Sequence, residues 1–166
     1  MQCSSTEIIV KTTTGYSGAQ IALHWLIAVL IPLAWLSGEG AEDALDAVRD
    51  GGATGFVPHV AFGLAILALV LTRLLVRLSR GAPAAPGTPG SLPVLAADWG
   101  HRLIYLLMIA VPLGGVSVWF LGLKVGDIHA LAANLLMLVV LGHALMALYH
   151  QYVMKDGLLR RMMRAE

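Results

Sequence analysis

The stretch IHALAANLLMLVVLGHALMALYH, residues 128–150, decides the fold because it is long, apolar and free of Asp, Glu, Lys and Arg. A helix needs about 20 predominantly apolar residues to cross the hydrocarbon core of a bilayer. Three further stretches of similar character occupy residues 20–37, 56–76 and 101–122. A segment in lipid must satisfy its own backbone hydrogen bonds, and none of the four alternates like a barrel strand, so all four are predicted to be helices. We therefore expect an all-α membrane protein, built as a four-helix transmembrane bundle.

The composition of the whole chain supports a membrane protein of one domain. Of its 166 residues, 58% are hydrophobic and 13% are charged, which is about half the charged fraction of a soluble domain. The single cysteine, Cys3, can form no intrachain disulfide, and the sequence contains no Cys-x-x-Cys-His motif for covalent attachment of a c-type haem. Nucleotide-binding glycine motifs and catalytic triads are also missing from the sequence, so neither nucleotide chemistry nor nucleic-acid binding is predicted.

Basic residues concentrate on one side of the predicted bundle. The side that holds both termini carries nine of them, namely Lys11, Arg73, Arg77, Arg80, Arg102, Lys155, Arg160, Arg161 and Arg164. The opposite side carries Arg49 and Lys124 beside six acidic residues, namely Glu39, Glu42, Asp43, Asp46, Asp50 and Asp127. The positive-inside rule therefore predicts that both termini are cytoplasmic.

The chain divides into three predicted segments. These are a polar amino-terminal tail over residues 1–15, the four-helix transmembrane domain over 16–155, and a basic cytoplasmic tail over 156–166. A cleaved signal peptide is the alternative interpretation of the first span. Its apolar run of about 18 residues, however, exceeds the 7–15 apolar residues of a signal-peptide core. The acidic, glycine-rich residues 38–55 and the Pro- and Gly-rich residues 81–90 are predicted to be loops.

All six histidines lie inside or at the edges of the predicted spans: His24, His59, His101, His129, His143 and His150. An ionisable side chain within a span marks a functional site by default, although one neutral histidine could equally be a packing residue. His129, His143 and His150 follow one another at spacings of fourteen and seven residues, which return to nearly the same helical face. Along the axis His129 and His143 are about 21 Å apart, so one helix places an imidazole in each half of the membrane.

Each of these two imidazoles has a partner at a matching depth on another helix. His24, about 10 Å into the first helix, matches His143 in the inner half. His59, at the start of the second span, matches His129 in the outer half. Haem iron needs two axial imidazoles, whereas Zn²⁺ needs three or four converging ligands. The pairs therefore predict two haem b groups, and a haem-free bundle whose histidines line a cation path is the alternative.

Further residues at the inner side are weaker candidates. His101 is expected at the shallow start of the third helix and is an alternative inner ligand. Arg73 and Arg77 lie four residues apart on one helical face, where they either anchor the helix or contact haem propionates or a quinone, with His150 as a proton-carrying imidazole. Room for a flat macrocycle is expected at Gly63, Gly114, Gly115 and Gly142. Most tryptophans and tyrosines are expected in interfacial belts.

Several stretches resemble the bacterial cytochrome b561 family. They are QIALHWL at 20–26, TRLLVRL at 72–78, GHRLIYLL at 100–107, Ala133-Asn134 through Gly142-His143, and YVMKDGLLRRM at 152–162. The resemblance covers nearly the whole chain after residue 15. It implies a diheme four-helix bundle of the bacterial inner membrane that moves electrons between an outer reductant and membrane quinone. It also implies that the four axial ligands are His24, His59, His129 and His143.

The resemblance further implies an activity. One branch of the family oxidises superoxide at the periplasmic face and reduces ubiquinone, and for that branch Arg73, Arg77 and His150 would lie near the quinone. Other members are electron-carrying subunits of larger complexes, which implies a redox partner protein as the alternative. The sequence departs from the family pattern in its short outer loop before His129 and in Gln151, where a second histidine is expected. The acidic outer face would also repel an anion such as superoxide.

Overall fold

The computed structural model describes residues 15–81, 83, 88 and 90–165. Within these residues the chain forms helices and no strand. The helices are α1 (Gly18–Leu36), α2 (Gly38–Arg49), α3 (Pro58–Arg80), α4 (Leu92–Leu121) and α5 (Gly126–Tyr149), followed by a π-helical turn (His150–Met154) and a 3-10 turn (Leu159–Met162). Four of these helices are long and apolar enough to cross a membrane. They are α1, α3, α4, and α5 extended by the π-helical turn that follows it. The predicted all-α fold with four membrane spans is confirmed.

Two predicted features are wrong. The third span begins at Leu92 rather than at His101, because Pro93 is tolerated in the first helical turn and the helix continues without a break. His101 therefore lies about 14 Å along α4 from its first residue and at the height of the His143 ring, rather than at the start of the helix. The acidic segment after α1 is not a loop, since Gly38–Arg49 forms the amphipathic helix α2. In that helix Glu39 lies in the first turn and Arg49 in the last, which suits the helix macrodipole.

The long helices pack as an antiparallel bundle. α1 packs against α3, α3 against α4, α4 against α5, and α5 returns to α1, while α2 lies against α3 and α1. The buried core consists of Ile27, Ile31, Ile66, Val70, Leu107, Met108, Val111 and Leu136. The outward faces carry exposed large apolar side chains such as Leu75, Leu106 and Leu138. These faces contact membrane lipid, because the exposure of so much apolar surface to water would be unfavourable.

The bundle has two chemically different ends. The basic end is formed by the start of α1, the end of α3, the start of α4 and the segment after α5. It is joined by hydrogen bonds from Gln20 Nε2 to the Gly81 carbonyl (2.9 Å) and from Trp25 Nε1 to the Met162 carbonyl (2.7 Å). The acidic end holds α2 and the short connection between α4 and α5. The cytoplasmic location of the basic end and the segment boundaries at residues 15 and 156 stay predictions. Most of the predicted loop 81–90, and residues 1–14, lie outside the described residues.

Candidate functional site

Two histidines meet at the acidic end of the bundle, and we call them the acidic-end pair. His59 lies in the first turn of α3 after Pro58, and His129 lies in the first turn of α5. Their ring centroids are 5.9 Å apart and their planes are inclined at 86°. The predicted partners for this depth are therefore brought together.

Backbone carbonyls orient both rings of the acidic-end pair. Nδ1 of His59 lies 2.8 Å from the Ala34 carbonyl of α1, and Nδ1 of His129 lies 3.0 Å from the Val111 carbonyl of α4. Because a carbonyl only accepts, each Nδ1 carries the proton and each Nε2 keeps its lone pair. Metal-binding histidines characteristically have this arrangement, since the hydrogen bond fixes both the tautomer and the orientation of the ring.

Glycines make room for the imidazole of His129. A Cβ placed at Gly115 would lie 3.2 Å from His129 Cε1, and one at Gly114 would lie 3.5 Å from His129 Nδ1. These two glycines thus accommodate an imidazole, which corrects the expectation that they leave space for a macrocycle. At Gly63 and Gly142 an added Cβ would meet no atom within 4 Å, so open space does lie beside these two positions.

Three histidines meet nearer the basic end, and we call them the basic-end cluster. The ring centroids of His24 and His143 are 6.4 Å apart, and those of His101 and His143 are 5.3 Å apart. The capping box of Ser17 and Gln20 starts α1 and so places His24 about 9 Å along that helix. Nδ1 of His101 bonds to the carbonyl four residues earlier in its own helix (2.7 Å). His143 consequently has two candidate partners, His24 and His101.

Arg73 is the polar residue that ties the helices around the basic-end cluster. Its Nη1 donates to the Gln20 carbonyl (2.7 Å) and its Nε donates to the Tyr105 hydroxyl (3.0 Å). Gln20 is itself buried, with 5% of its surface exposed. The guanidinium lies close enough to His24, His101 and His143 to interact with them electrostatically. Arg77, although on the same helix, is exposed, so the two arginines have different surroundings.

His150 stands apart from the basic-end cluster. Its Nδ1 donates to the Asp156 carboxylate, which also accepts from the Leu158 backbone N–H (3.0 Å). The hydrogen bond from His150 is the main cause that lowers the pKa of Asp156, and the bond from Leu158 adds to it. The structure therefore ties His150 to the carboxyl-terminal turn, and it does not bring His150 into contact with the other histidines.

A polar contact between α1 and α5 was not predicted from the sequence. Trp35 Nε1 donates to Asn134 Oδ1 at 2.8 Å. Trp35 adjoins Ala34, whose carbonyl bonds His59, and Asn134 lies on the helix that carries His129. The end of α1 is thus linked to both helices of the acidic-end pair. A polar amide within an apolar span was the available signal for Asn134. Trp25 and Tyr105 also bond within the protein, and the interfacial belt stays a prediction.

The spacing of the pairs suits an iron with two axial imidazoles. An imidazole nitrogen lies about 2 Å from a bound transition metal, and the ring centre lies about 1 Å further away. Two imidazoles on opposite faces of one iron then have centroids about 6 Å apart. The separations of 5.9 Å for His59–His129 and 6.4 Å for His24–His143 fit this value, and the 5.3 Å of His101–His143 is shorter. Among the described residues, no group of three or more His, Cys, Asp or Glu side chains could hold a metal ion.

The sequence model of prokaryotic cytochrome b561 matches residues 15–165, which include all four spans. The chain belongs to the prokaryotic cytochrome b561 family. It is therefore a bacterial multi-pass membrane protein that binds haem b and transfers electrons.

Individual relatives agree with this family. Cytochrome b562 of Cereibacter sphaeroides is 46% identical over 154 residues, which cover 90% of this chain and 96% of the relative. The probable superoxide oxidase CybB of Yersinia pestis is 33% identical over 175 residues, covering 89% of this chain and 95% of the relative. Cytochrome b561 homolog 1 of Escherichia coli K12 is 26% identical over 173 residues, covering 89% and 96% respectively. The similarity thus extends over nearly the full length of each protein.

Proposed function

We propose that this b561 cytochrome holds two haems and carries electrons across the bacterial inner membrane, from a reductant at the acidic end to ubiquinone at the basic end. The observation that carries the proposal is the existence of two histidine pairs, each with a ring spacing suited to one axially ligated iron. His129 and His143 are about 21 Å apart along α5, so the two pairs occupy different depths.

His59 with His129 would hold one haem, and His24 with His143 the other. Bound haem b supplies a one-electron carrier whose potential depends on axial ligands, hydrogen bonding and burial. The protein orients His59 and His129 through carbonyls of neighbouring helices. At the basic end His101 is the alternative ligand, because it also approaches His143.

The basic end offers groups suited to a quinone. Arg73 and Arg77 are the cations of α3 nearest to this end's histidines. His150, whose Nδ1 is bonded to Asp156, keeps Nε2 free to pass a proton to or from a quinone oxygen. A quinone is reduced by electrons together with protons, and an imidazole with one protonated and one unprotonated ring nitrogen can relay such a proton. With both termini cytoplasmic, this chemistry would take place at the cytoplasmic side.

Superoxide is the reductant proposed for the acidic end. The support is the relative from Yersinia pestis, whose name is probable superoxide oxidase. The exposed acidic side chains of α2 oppose the approach of an anion, so the rate with superoxide should rise with ionic strength.

A second candidate reductant is a basic redox partner protein, with this chain as the electron-carrying subunit of a larger complex. The acidic helix α2 favours it, because α2 begins beside His59: a Cβ at Gly38 would lie 3.9 Å from that ring. For such a partner the rate should fall with ionic strength, since opposite charges attract less strongly in salt. The direction of the salt effect therefore separates the two reductants.

Haem counting tests the number and the ligands of the haems. A pyridine haemochrome assay of the purified protein is expected to give about two haems per chain. Replacing His59 or His129 by alanine should remove one haem, and replacing His24 or His143 should remove the other. A wild-type stoichiometry of one haem would contradict the diheme proposal.

Quinone and superoxide are tested in liposomes that contain ubiquinone-10. Quinol formation upon addition of superoxide is compared with a haem-free preparation, and reduction by dithionite serves as the positive control. If dithionite-reduced protein forms quinol and superoxide does not, the superoxide proposal fails and the quinone proposal stands. If neither forms quinol above the haem-free rate, both fail.

A further inference from the structure

A cavity of about 290 Å³ lies beside the π-helical turn at the basic end, and we call it the π-turn cavity. It is lined by Gln151, Tyr152, Lys155, Gly157 and Arg160. None of these residues has a place in the proposed haem or quinone chemistry. A short π-helical segment at the end of an α-helix, such as His150–Met154, is frequent at functional sites.

The backbone around the π-turn cavity is held by local hydrogen bonds. Lys155 ends the π-helical turn with φ 55°, in the left-handed region, and its N–H donates to the His150 carbonyl. Gly157 has φ 73°, a conformation in which glycine avoids the steric cost of a Cβ. The Asp156 carboxylate bridges the turn by accepting from His150 and from the Leu158 N–H. The cavity is therefore preformed by its own turn.

The π-turn cavity has an unbalanced positive charge. Lys155 and Arg160 line it, and among the described residues neither has a carboxylate within ion-pair distance. Asp156, the acidic residue of the turn, is engaged by His150. The turn thus carries two cations against one carboxylate, and this excess of positive charge favours an anionic ligand.

Gln151 adds a requirement for a hydrogen-bond donor. Its Oε1 is buried and has no hydrogen-bond partner in the described structure. A buried acceptor without a partner is destabilising, and such a group in a native protein points to something that satisfies it. The terminal torsion of glutamine is soft, so Oε1 can turn toward a donor in the cavity. A phosphodiester offers only acceptors and cannot donate to Gln151 Oε1, whereas a ligand hydroxyl can donate its proton to it.

The depth of the π-turn cavity points to a lipid. The apolar span of α5 ends at Met154, so residues 151–160 lie where the headgroups of the bilayer begin. Tyr152 is 70% exposed, as is usual for a tyrosine at the membrane–water interface. Basic pockets at this depth bind anionic headgroups. We propose that the π-turn cavity binds an anionic phospholipid whose headgroup carries a hydroxyl, as phosphatidylglycerol does. Lys155 and Arg160 hold the phosphodiester, and Gln151 accepts from the glycerol hydroxyl.

Native mass spectrometry of the full-length holoprotein tests the anionic part of the proposal. The probes are phosphatidylglycerol and phosphatidylcholine with identical acyl chains. We expect the wild type to retain phosphatidylglycerol preferentially, and the double variant K155Q/R160Q to lose roughly thirtyfold in affinity for it. The matched control is K124Q, which removes a cation at the acidic end and should leave the affinity unchanged. Equal retention of both lipids by the wild type, or equal effects of K124Q and K155Q/R160Q, overturns the proposal.

A second probe tests the role of the hydroxyl. Phosphatidylmethanol has the same charge as phosphatidylglycerol and no headgroup hydroxyl. The wild type is expected to prefer phosphatidylglycerol about fivefold, the usual effect of one hydrogen bond, and Gln151→Leu should abolish this preference while binding both anionic lipids. Haem content is measured for every variant to show that it is folded. If Gln151→Leu keeps the preference, the hydroxyl does not contact Gln151 and the assignment is wrong.

Inorganic phosphate separates a lipid from a free anion. Phosphate at millimolar concentration is expected not to displace phosphatidylglycerol from the wild type, because it lacks both the acyl chains and the glycerol. Displacement by phosphate that is abolished in K155Q/R160Q would make the cavity a site for aqueous anions and would overturn the lipid assignment.

Discussion

Replacing Gly115 with alanine tests whether close packing of the His129 ring against α4 supports haem binding. A Cβ at Gly115 would lie 3.2 Å from His129 Cε1, whereas a Cβ at Gly114 would lie 3.5 Å from Nδ1 of the same ring. Carbon atoms in ordinary contact are about 3.5–4.0 Å apart. Gly115→Ala must therefore displace the ring by a few tenths of an ångström, and Gly114→Ala need not.

The displacement has a cost because the His129 ring is also hydrogen-bonded to α4, the helix that carries Gly115. Its Nδ1 bonds the Val111 carbonyl at 3.0 Å, so the ring cannot retreat without lengthening that bond. Overpacking of a close-packed interior costs about 1–3 kcal/mol, and so small a displacement belongs at the lower end. A loss of about 1 kcal/mol would weaken haem binding at His59 and His129 about fivefold. Both substitutions raise helix propensity equally. The difference in haem binding between the two variants therefore reports only the contact with the His129 ring.

The assay is the transfer of haem from each variant to apomyoglobin, with the two haems distinguished by their low-spin EPR signals. We expect Gly115→Ala to accelerate loss of the haem that depends on His59 about fivefold and to leave the other haem unchanged. Gly114→Ala should behave like the wild type. Identical rates for the two variants, or an effect on the other haem alone, would refute the packing argument.

Three further predictions concern other parts of the molecule. His24→Ala is expected to lose the basic-end haem while His101→Ala retains it, because the His24–His143 spacing suits an axial pair better; optical spectra of both variants check this, and the reverse result would make His101 the ligand. Asn134→Leu should cost about 0.6 kcal/mol of stability, the mean for a hydrogen bond between transmembrane helices. In a double-mutant cycle it should cause no further loss of stability once Trp35→Phe is present. Additive losses would show that the two side chains do not interact. The pKa of Asp156 is lowered in the folded protein, so its contribution to the stability of the carboxyl-terminal turn is complete above the ordinary pKa of 3.8 and is lost as the pH falls through the lowered pKa. In the wild type, hydrogen exchange of the turn, corrected for the intrinsic exchange rate, should therefore accelerate at such acid pH. In Asp156→Asn the corrected rate should not depend on pH in this range.

Much of the fold follows from local properties of the sequence. The length and apolar character of each span predict a membrane helix without any knowledge of its neighbours, since a lipid-exposed backbone has no other way to satisfy its hydrogen bonds. The recurrence of His129 and His143 on one face follows from helical geometry. The same local reasoning failed for residues 38–49, where glycine and acidic residues predicted a loop. Residues 41–49 nevertheless contain good helix formers such as Ala44, Leu45 and Ala47, and α2 lies against α3 and α1.

The start of α4 shows a second limit of local reasoning. Residues 92–100 are less apolar than the rest of the span, so the apolar run alone placed the helix start at His101. A proline within the first turn is compatible with a helix, and the helix begins at Leu92. The shift places His101 about 14 Å along α4 rather than at its start, and its ring lies next to that of His143. His101 was already an alternative ligand on the sequence alone, and the boundary error affected only its expected height in the bundle.

By itself the sequence determined that this protein is a four-span helical membrane protein with histidines at two depths, because span length and helical period are properties of each segment alone. Only the tertiary structure decided which groups surround those histidines. The carbonyls of Ala34 and Val111 orient His59 and His129, yet every residue has a carbonyl and nothing in the sequence distinguishes these two. Likewise, the donors of Arg73 meet Gln20 and Tyr105 because α1, α3 and α4 pack side by side. Such contacts depend on the rotation and relative height of whole helices, which the apolar pattern of a lipid-facing helix constrains weakly, since lipid and core are equally apolar.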